Sequence, residues 1–193
     1  MSMGRRLRLL VPESRMRSAA RSDEADVAIA PFDAAARADF WWRQPKRFRR
    51  AWVLEADGQA VAAMKGEPVF SQTSHVRFSD AAYEMRRGWT GNTEVRAEGA
   101  TEPLLRLRSG LWTSRVLTPS GDTLKLVPIG FWQRAHELRT EEGHVLVRFE
   151  SREGFTRHEA QVLIEDSARG RDDLRPLLGL MSAIVFAPKR HSS

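Results

Sequence analysis

Five cations fall within eight residues, Arg43-Gln-Pro-Lys-Arg-Phe-Arg-Arg50, with Phe48 among them and Trp41, Trp42 and Trp52 on either side. Charged side chains interleaved with aromatic rings suit anionic lipid headgroups, or the phosphates and bases of nucleic acid. The plainer reading of the same residues is a solvated connector whose rings pack on the domain beside it. A second set, Arg106, Arg108 and Arg115 with Lys125 close by, occupies outward positions of strand patterns. Acidic residues such as Glu84, Glu137 and Glu159 are expected among them, which would make that surface mixed. The candidate anion- or lipid-binding residues are therefore Arg43, Lys46, Arg47, Arg49, Arg50, Arg106 and Arg108.

Catalytic chemistry finds little footing. The chain has no cysteine, no glycine-rich phosphate loop, no G-x-S-x-G and no H-E-x-x-H. His75, His136, His144, His158 and His191 are scattered. His136 and His144 could face each other loosely across a turn, but a metal centre needs three or four ligands. Asp172 and Asp173 read better as helix caps than as a catalytic pair. Ser114 has no base at a recognisable spacing and reads as a small core residue. These features predict a protein that is not an enzyme and holds no metal or cofactor.

Charge is unevenly distributed. Residues 1–50 carry 12 Lys+Arg against 6 Asp+Glu, whereas residues 51–193 carry 19 against 19, so the whole excess lies in the first quarter. Arg outnumbers Lys 27 to 4, which a codon bias explains as well as phosphate recognition does. The basic start, Met1 to Pro12, has an apolar run of three residues, too short for a signal h-region. A cytoplasmic protein is expected, without a transmembrane segment. Length fits one domain: a basic arm over 1–24, a domain over 25–188 and a basic tail over 189–193.

Most of that domain alternates with period two. Trp52, Leu54 and Ala56 lead through Asp57-Gly58, a type I′ turn signal, into 59–65. Two-residue pairing would put Trp52, Leu54, Val61 and Ala63 on one face. Further half-buried strands are predicted over 75–79 (Val76, Phe78 inward), 82–87 (Tyr83, Met85 inward) and 93–97. Leu104–Arg108 and Leu111–Leu117 would form a hairpin about Ser109-Gly110, pairing 107 with 112 and 105 with 114, with Leu105, Leu107, Trp112, Ser114 and Val116 inward. Leu124 and Leu126 mark another strand after the turn 118–122. Others run over 131–139, 144–150 (Val145, Val147, Phe149 inward) and 158–165 (Ala160, Val162, Ile164 inward). Pro31–Gln44 could be a short helix capped by Asp33 or irregular covering chain, and the helix is favoured.

The C-terminal segment is different. Pro176–Ala187 is twelve residues without a charge, stopped by Pro188. Asp172 and Asp173 can cap it, and Pro176 falls in the first turn, where a missing N–H is harmless. A helix over 174–187, roughly 21 Å long, is too short to span a bilayer and has no polar face, so it must be surrounded on every side. About eleven short strands closing around it would satisfy both the helix and the sheet edges. The predicted fold is all-β: a closed antiparallel barrel of about 11–12 strands enclosing a hydrophobic C-terminal helix. Its predicted core includes Trp52, Trp112, Trp132, Leu178, Met181 and Ile184.

The hairpin-rich body, the strand start Gly130-Phe-Trp-Gln-Arg134, the turn at Gly143 and the final Leu174-Arg-Pro-Leu-Leu-Gly-Leu-Met before a basic end resemble the tubby-like and LURP-one-related superfamily, distant kin of phospholipid scramblases. The resemblance covers roughly residues 30–188 and is one of layout. It implies about twelve antiparallel strands around a C-terminal helix, in a non-enzymatic domain that binds phosphoinositide-containing membrane. No counterpart of the scramblase calcium segment is visible, and no tubby lipid-binding residue can be matched by position. The expected function is recognition of anionic phospholipid at a membrane surface, with residence in the cytoplasm and at the membrane periphery. A nucleic-acid or protein-interaction adaptor using the same basic quarter is the alternative, with nucleic acid the less favoured partner.

Overall fold

The computed structural model describes residues 27–35, 39–45, 51–66, 72–110, 113–130, 135–153 and 158–186. Twelve strands form one closed antiparallel barrel: β1 (Phe40–Arg43), β2 (Ala51–Ala56), β3 (Gln59–Gly66), β4 (Thr73–Phe78), β5 (Ala82–Arg87), β6 (Thr93–Ala97), β7 (Leu105–Arg108), β8 (Ser114–Leu117), β9 (Thr123–Ile129), β10 (Ala135–Arg139), β11 (Val145–Glu153) and β12 (His158–Ile164). Each strand pairs with its sequence neighbours, and β1 pairs with β12 to close the ring. A single turn of helix, α1 (Asp166–Arg169), leads to α2 (Leu174–Val185).

The inside of the ring is apolar and the outside is charged. Val76, Phe78, Met85, Leu105, Leu107, Val116, Leu124, Phe149, Ala160 and Val162 alternate inward as their period-two pattern requires. Helix α2 fills the space they enclose. All seven residues from Pro176 to Ser182 are buried, which covers every direction around the helix axis. Gly179 shows how close the fit is. A Cβ there would stand 3.3 Å from Met85 Sδ and 3.7 Å from Val76. Ser182 donates to Gly179 O at 2.8 Å and lies 3.2 Å from Met64 Sδ, so its hydroxyl is satisfied inside the core. Leu178 and Met181 are buried as expected, and Ile184 packs half-buried at the core's margin.

Because every neighbouring pair is antiparallel, odd-numbered strands all finish at one end of the barrel, here the upper end, and even-numbered strands at the lower. The helix enters from below. Arg175 reaches Asp80 in the β4–β5 turn at 3.1 Å, while Phe186, just past the helix, stacks on Trp52 at 5.2 Å and meets Trp42 at 6.5 Å near the top.

Several expectations need correcting. Residues 40–43 are strand, not helix. Phe40 and Trp42 point inward and are fully buried, Trp41 and Arg43 point out, and this strand supplies both closing ladders. Asp33 caps only a local turn, accepting from Ala35 N at 2.9 Å. In the β2–β3 hairpin the Asp57-Gly58 turn forms with positive φ at both residues, but a bulge at Leu54/Glu55 pairs Leu54 with Ala62 and Trp52 with Met64. Val61 is the extra residue, and Ala63, expected inward, faces out. A second bulge at Leu138/Arg139 makes Leu146 the extra residue, buried in the core, and leaves Val145 half-buried. The β7–β8 register is longer by four residues, pairing Leu107 with Val116. Ser109 is drawn away to the β5–β6 turn and Arg108 pairs with Arg115, so Ser109-Gly110 does not close as a two-residue turn. An even shift preserves which face each residue takes, so Leu105, Leu107 and Val116 still point inward.

Helix α2 ends at Val185, and Asp173, its N-cap residue, makes no side-chain cap bond. Its carboxylate instead grips Arg171 with two bonds, 2.8 Å to Nε and 2.9 Å to Nη2, while Arg171 also reaches Asp122 at 3.3 Å. Those hydrogen bonds with Asp173 raise the Arg171 pKa, and the cluster ties the start of the helix to the β8–β9 turn. The arm 1–24, the tail 189–193, and Lys46, Arg47, Arg49, Arg50, Trp112 and Trp132 lie outside the described residues.

The β5–β6 turn offers a local test. Gly91 holds φ +84°, and a Cβ there would sit 2.9 Å from Ser109 Oγ, which donates to Gly91 O at 2.8 Å. Gly91→Ala should cost about 1–3 kcal/mol through strain and the broken tie, read as a lower midpoint in denaturant titration.

Candidate anion-binding surface

Outward positions on all twelve strands carry charges, and their arrangement is not uniform. Most cross-strand rows alternate in sign. Lys65, His75, Glu84 and Arg96 form one row, Arg86, Glu94 and Arg106 another, and Arg43, Glu159 and Arg152 a third. Ion pairs form along the strands as well as between them. Arg43 meets Glu55 at 2.8 Å, Arg96 meets Glu94 at 2.6 Å, and Arg106 approaches Glu94 at 3.9 Å. Arg86 pairs with Glu84. Below them Glu137, almost wholly buried, lies between Arg139 and Arg148, and Arg148 also binds Glu150 at 2.7 Å.

One row breaks the rule. Arg108 on β7 lies directly opposite Arg115 on β8, Arg115 opposite Lys125 on β9, and Lys125 opposite Arg139 on β10. Arg139 is neutralised by Glu137. Lys125 donates to the backbone carbonyl of Glu141 at 2.7 Å and is otherwise near Glu142. Hydrogen bonds from the backbone N–H of Glu142 and from Thr140 hold that exposed carboxyl below its ordinary pKa, with smaller help from His144 and Lys125. Among the described residues, no carboxylate forms an ion pair with Arg108 or Arg115. Like charges directly opposite each other, with Cβ atoms about 5 Å apart, destabilise a sheet. Three successive cations therefore form a concentrated positive stripe that the fold alone does not require.

The sequence-predicted candidates divide accordingly. Arg108 belongs to the stripe. Arg106 lies one row away, loosely held by Glu94, and Arg43 is spent on Glu55 and on the Trp41 ring, 5.7 Å from its guanidinium carbon. Arg152 approaches the same ring at 5.0 Å. Trp52 is core, as expected. His136 and His144 do not meet: His136 pairs with Phe149 near the start of β10, and His144 lies in the turn beyond its end. No group of three or more His, Asp or Glu residues able to hold a metal ion occurs among the described residues. Ser114 is half-buried opposite Leu126.

The two ends of the barrel differ as well. The lower connections, 57–58, 79–81, 98–104, 118–122, 140–144 and 165–173, hold eleven carboxylates and no Phe, Trp or Tyr. At the upper end five of the six odd strands finish on or next to a cation: Arg43, Lys65, Arg86-Arg87, Arg108 and Arg152. Trp89, in the upper turn between β5 and β6, is 86% exposed. Sequence reasoning missed this residue, because a single aromatic in a turn has no periodicity to mark it. No helix among the described residues is long and apolar enough to cross a membrane. Comparison of the chain with family models, curated proteins and solved structures finds no match.

Proposed function

We propose that this chain is a non-enzymatic binding domain of tubby-like layout that docks on anionic phospholipid at the cytoplasmic face of a membrane. The observation that carries the reading is the stripe Arg108, Arg115 and Lys125, three cations on adjacent strands where every neighbouring row intersperses acids. A fixed sheet holds these charges at a spacing that a plane of phosphate headgroups can meet together, and the negative potential of the cytoplasmic leaflet draws such a surface in. The barrel around a C-terminal helix is the layout that the tubby-like resemblance implies, which supports the same reading. The lumen is occupied by α2, so a ligand carried inside the barrel is disfavoured.

The test is the triple variant Arg108→Glu, Arg115→Glu, Lys125→Glu, compared with wild type by cosedimentation with phosphatidylserine-containing vesicles, phosphatidylcholine vesicles and a random oligonucleotide at two salt concentrations. Exposed charges contribute little to folding, so the variant should remain folded. Each lost cation is worth about 1 kcal/mol near an anionic surface, so binding should weaken by roughly a hundredfold or more. Wild-type binding should itself fall steeply with salt. Wild type that binds the oligonucleotide and not the vesicles would point to the nucleic-acid adaptor instead.

A further inference from the structure

Trp89 is the most exposed large apolar side chain among the described residues, and it is held out by a turn built for rigidity. Gly91 N donates to Gly88 O at 3.0 Å, and Gly88 N donates to Asn92 O at 2.7 Å. The left-handed Gly91 completes the reversal. The turn is then fastened to the next hairpin: Ser109 N donates to Asn92 Oδ1 at 3.0 Å and Ser109 Oγ to Gly91 O at 2.8 Å. An indole on a floppy loop would fold back onto the protein. Here the backbone on both sides is pinned and the residue is 86% exposed.

Position and charge give that ring a partner. Arg86 and Arg87 immediately precede the turn, and Arg108, the first cation of the stripe, adjoins the Ser109 that anchors it. The opposite end of the barrel is the acidic one. Tryptophan concentrates at membrane interfaces, where its apolar body and polar N–H both find their medium, and flanking cations meet the headgroups. The charged outer wall on all twelve strands is the reverse of the apolar band a membrane-spanning barrel presents, so the contact must be made from the surface.

We propose that the β5–β6 turn is a membrane anchor: Trp89 enters the interface of an anionic bilayer, and the barrel leans on its upper end and its β7–β9 wall, so that the stripe running down that wall from Arg108 to Lys125 also faces the headgroups. This rests on the phospholipid reading above and adds to it a penetrating residue and an orientation.

The absence of cysteine makes the test direct, because a single introduced thiol is the only one in the chain. Thr90→Cys and Thr101→Cys, at the upper and lower ends, are each labelled with a polarity-sensitive fluorophore and mixed with equimolar phosphatidylserine and phosphatidylcholine vesicles. The label at 90 should shift to the blue and be quenched by brominated acyl chains, while the label at 101 should not change. In the unlabelled chain Trp89→Ala should weaken vesicle binding several-fold and remove its salt-resistant part, with Trp89→Phe intermediate. Vesicle binding with an unchanged label at 90, or with the label at 101 shifting instead, overturns the anchor and leaves the phospholipid reading standing. No binding to these vesicles overturns both.

Discussion

Leu178→Asp yields little or no soluble folded protein. Leu178 is wholly buried in the middle of α2, with Leu177, Gly179 and Leu180 beside it equally shut off from water. No lysine, arginine or histidine is among the buried described residues, so the carboxylate must be buried uncompensated or protonated. Either choice costs several kcal/mol, a large part of the 5–15 kcal/mol that holds a domain together. Expression with solubility fractionation, and thermal unfolding of any soluble material, reads the result. Leu178→Met, which keeps volume and polarity, should cost less than about 1.5 kcal/mol. A soluble Asp variant with an unaltered thermal midpoint would place the helix outside the core.

Trp42→Ala should be nearly as damaging, for a different reason. Trp42 is wholly buried on the strand that closes the ring, opposite Ala160 on one side and Leu54 on the other. Small residues on β12 and β3, Ala160 and Ala62, leave the ring to fill the space between wall and helix. Truncation should cost about 3–5 kcal/mol and loosen the packing of Phe186 against the upper end. Urea titration gives the magnitude, and near-ultraviolet circular dichroism reports the loss of fixed aromatic packing. A loss under about 1 kcal/mol would mean that the wall collapses inward without penalty.

How much of this could be read beforehand depended on whether a signal was local. Strands such as β4, β5, β6 and β12 were legible because alternation along one segment decides its faces. The helix was legible because an uncharged run of its length has nowhere else to go. Strand β1 was hidden by the alanines before it, which read as helical, although Phe40 and Trp42 already alternate with Trp41 and Arg43. The bulges at Leu54 and Leu138 were invisible, since register belongs to two strands at once. The same limit applied to the charged stripe. Arg108, Arg115 and Lys125 were recognised as outward, but a tight turn at Ser109-Gly110 would have set Arg108 opposite Leu111. Only the observed register brings it opposite Arg115.

The helix that fills the barrel is also the last part of the described chain to be made. Between the first closing strand at Phe40 and the end of α2 at Val185 a ribosome works for on the order of ten seconds. Until Ile164 is made β1 has no complete β12 to pair with, and until the helix follows the inner faces of the finished hairpins have nothing to cover them. Closure therefore joins strands more than a hundred residues apart, the kind of contact that forms slowly. The nascent chain exposes an open, apolar sheet with two free edges for most of its synthesis, so its yield in a cell depends on protection during translation as much as on the stability of the finished fold.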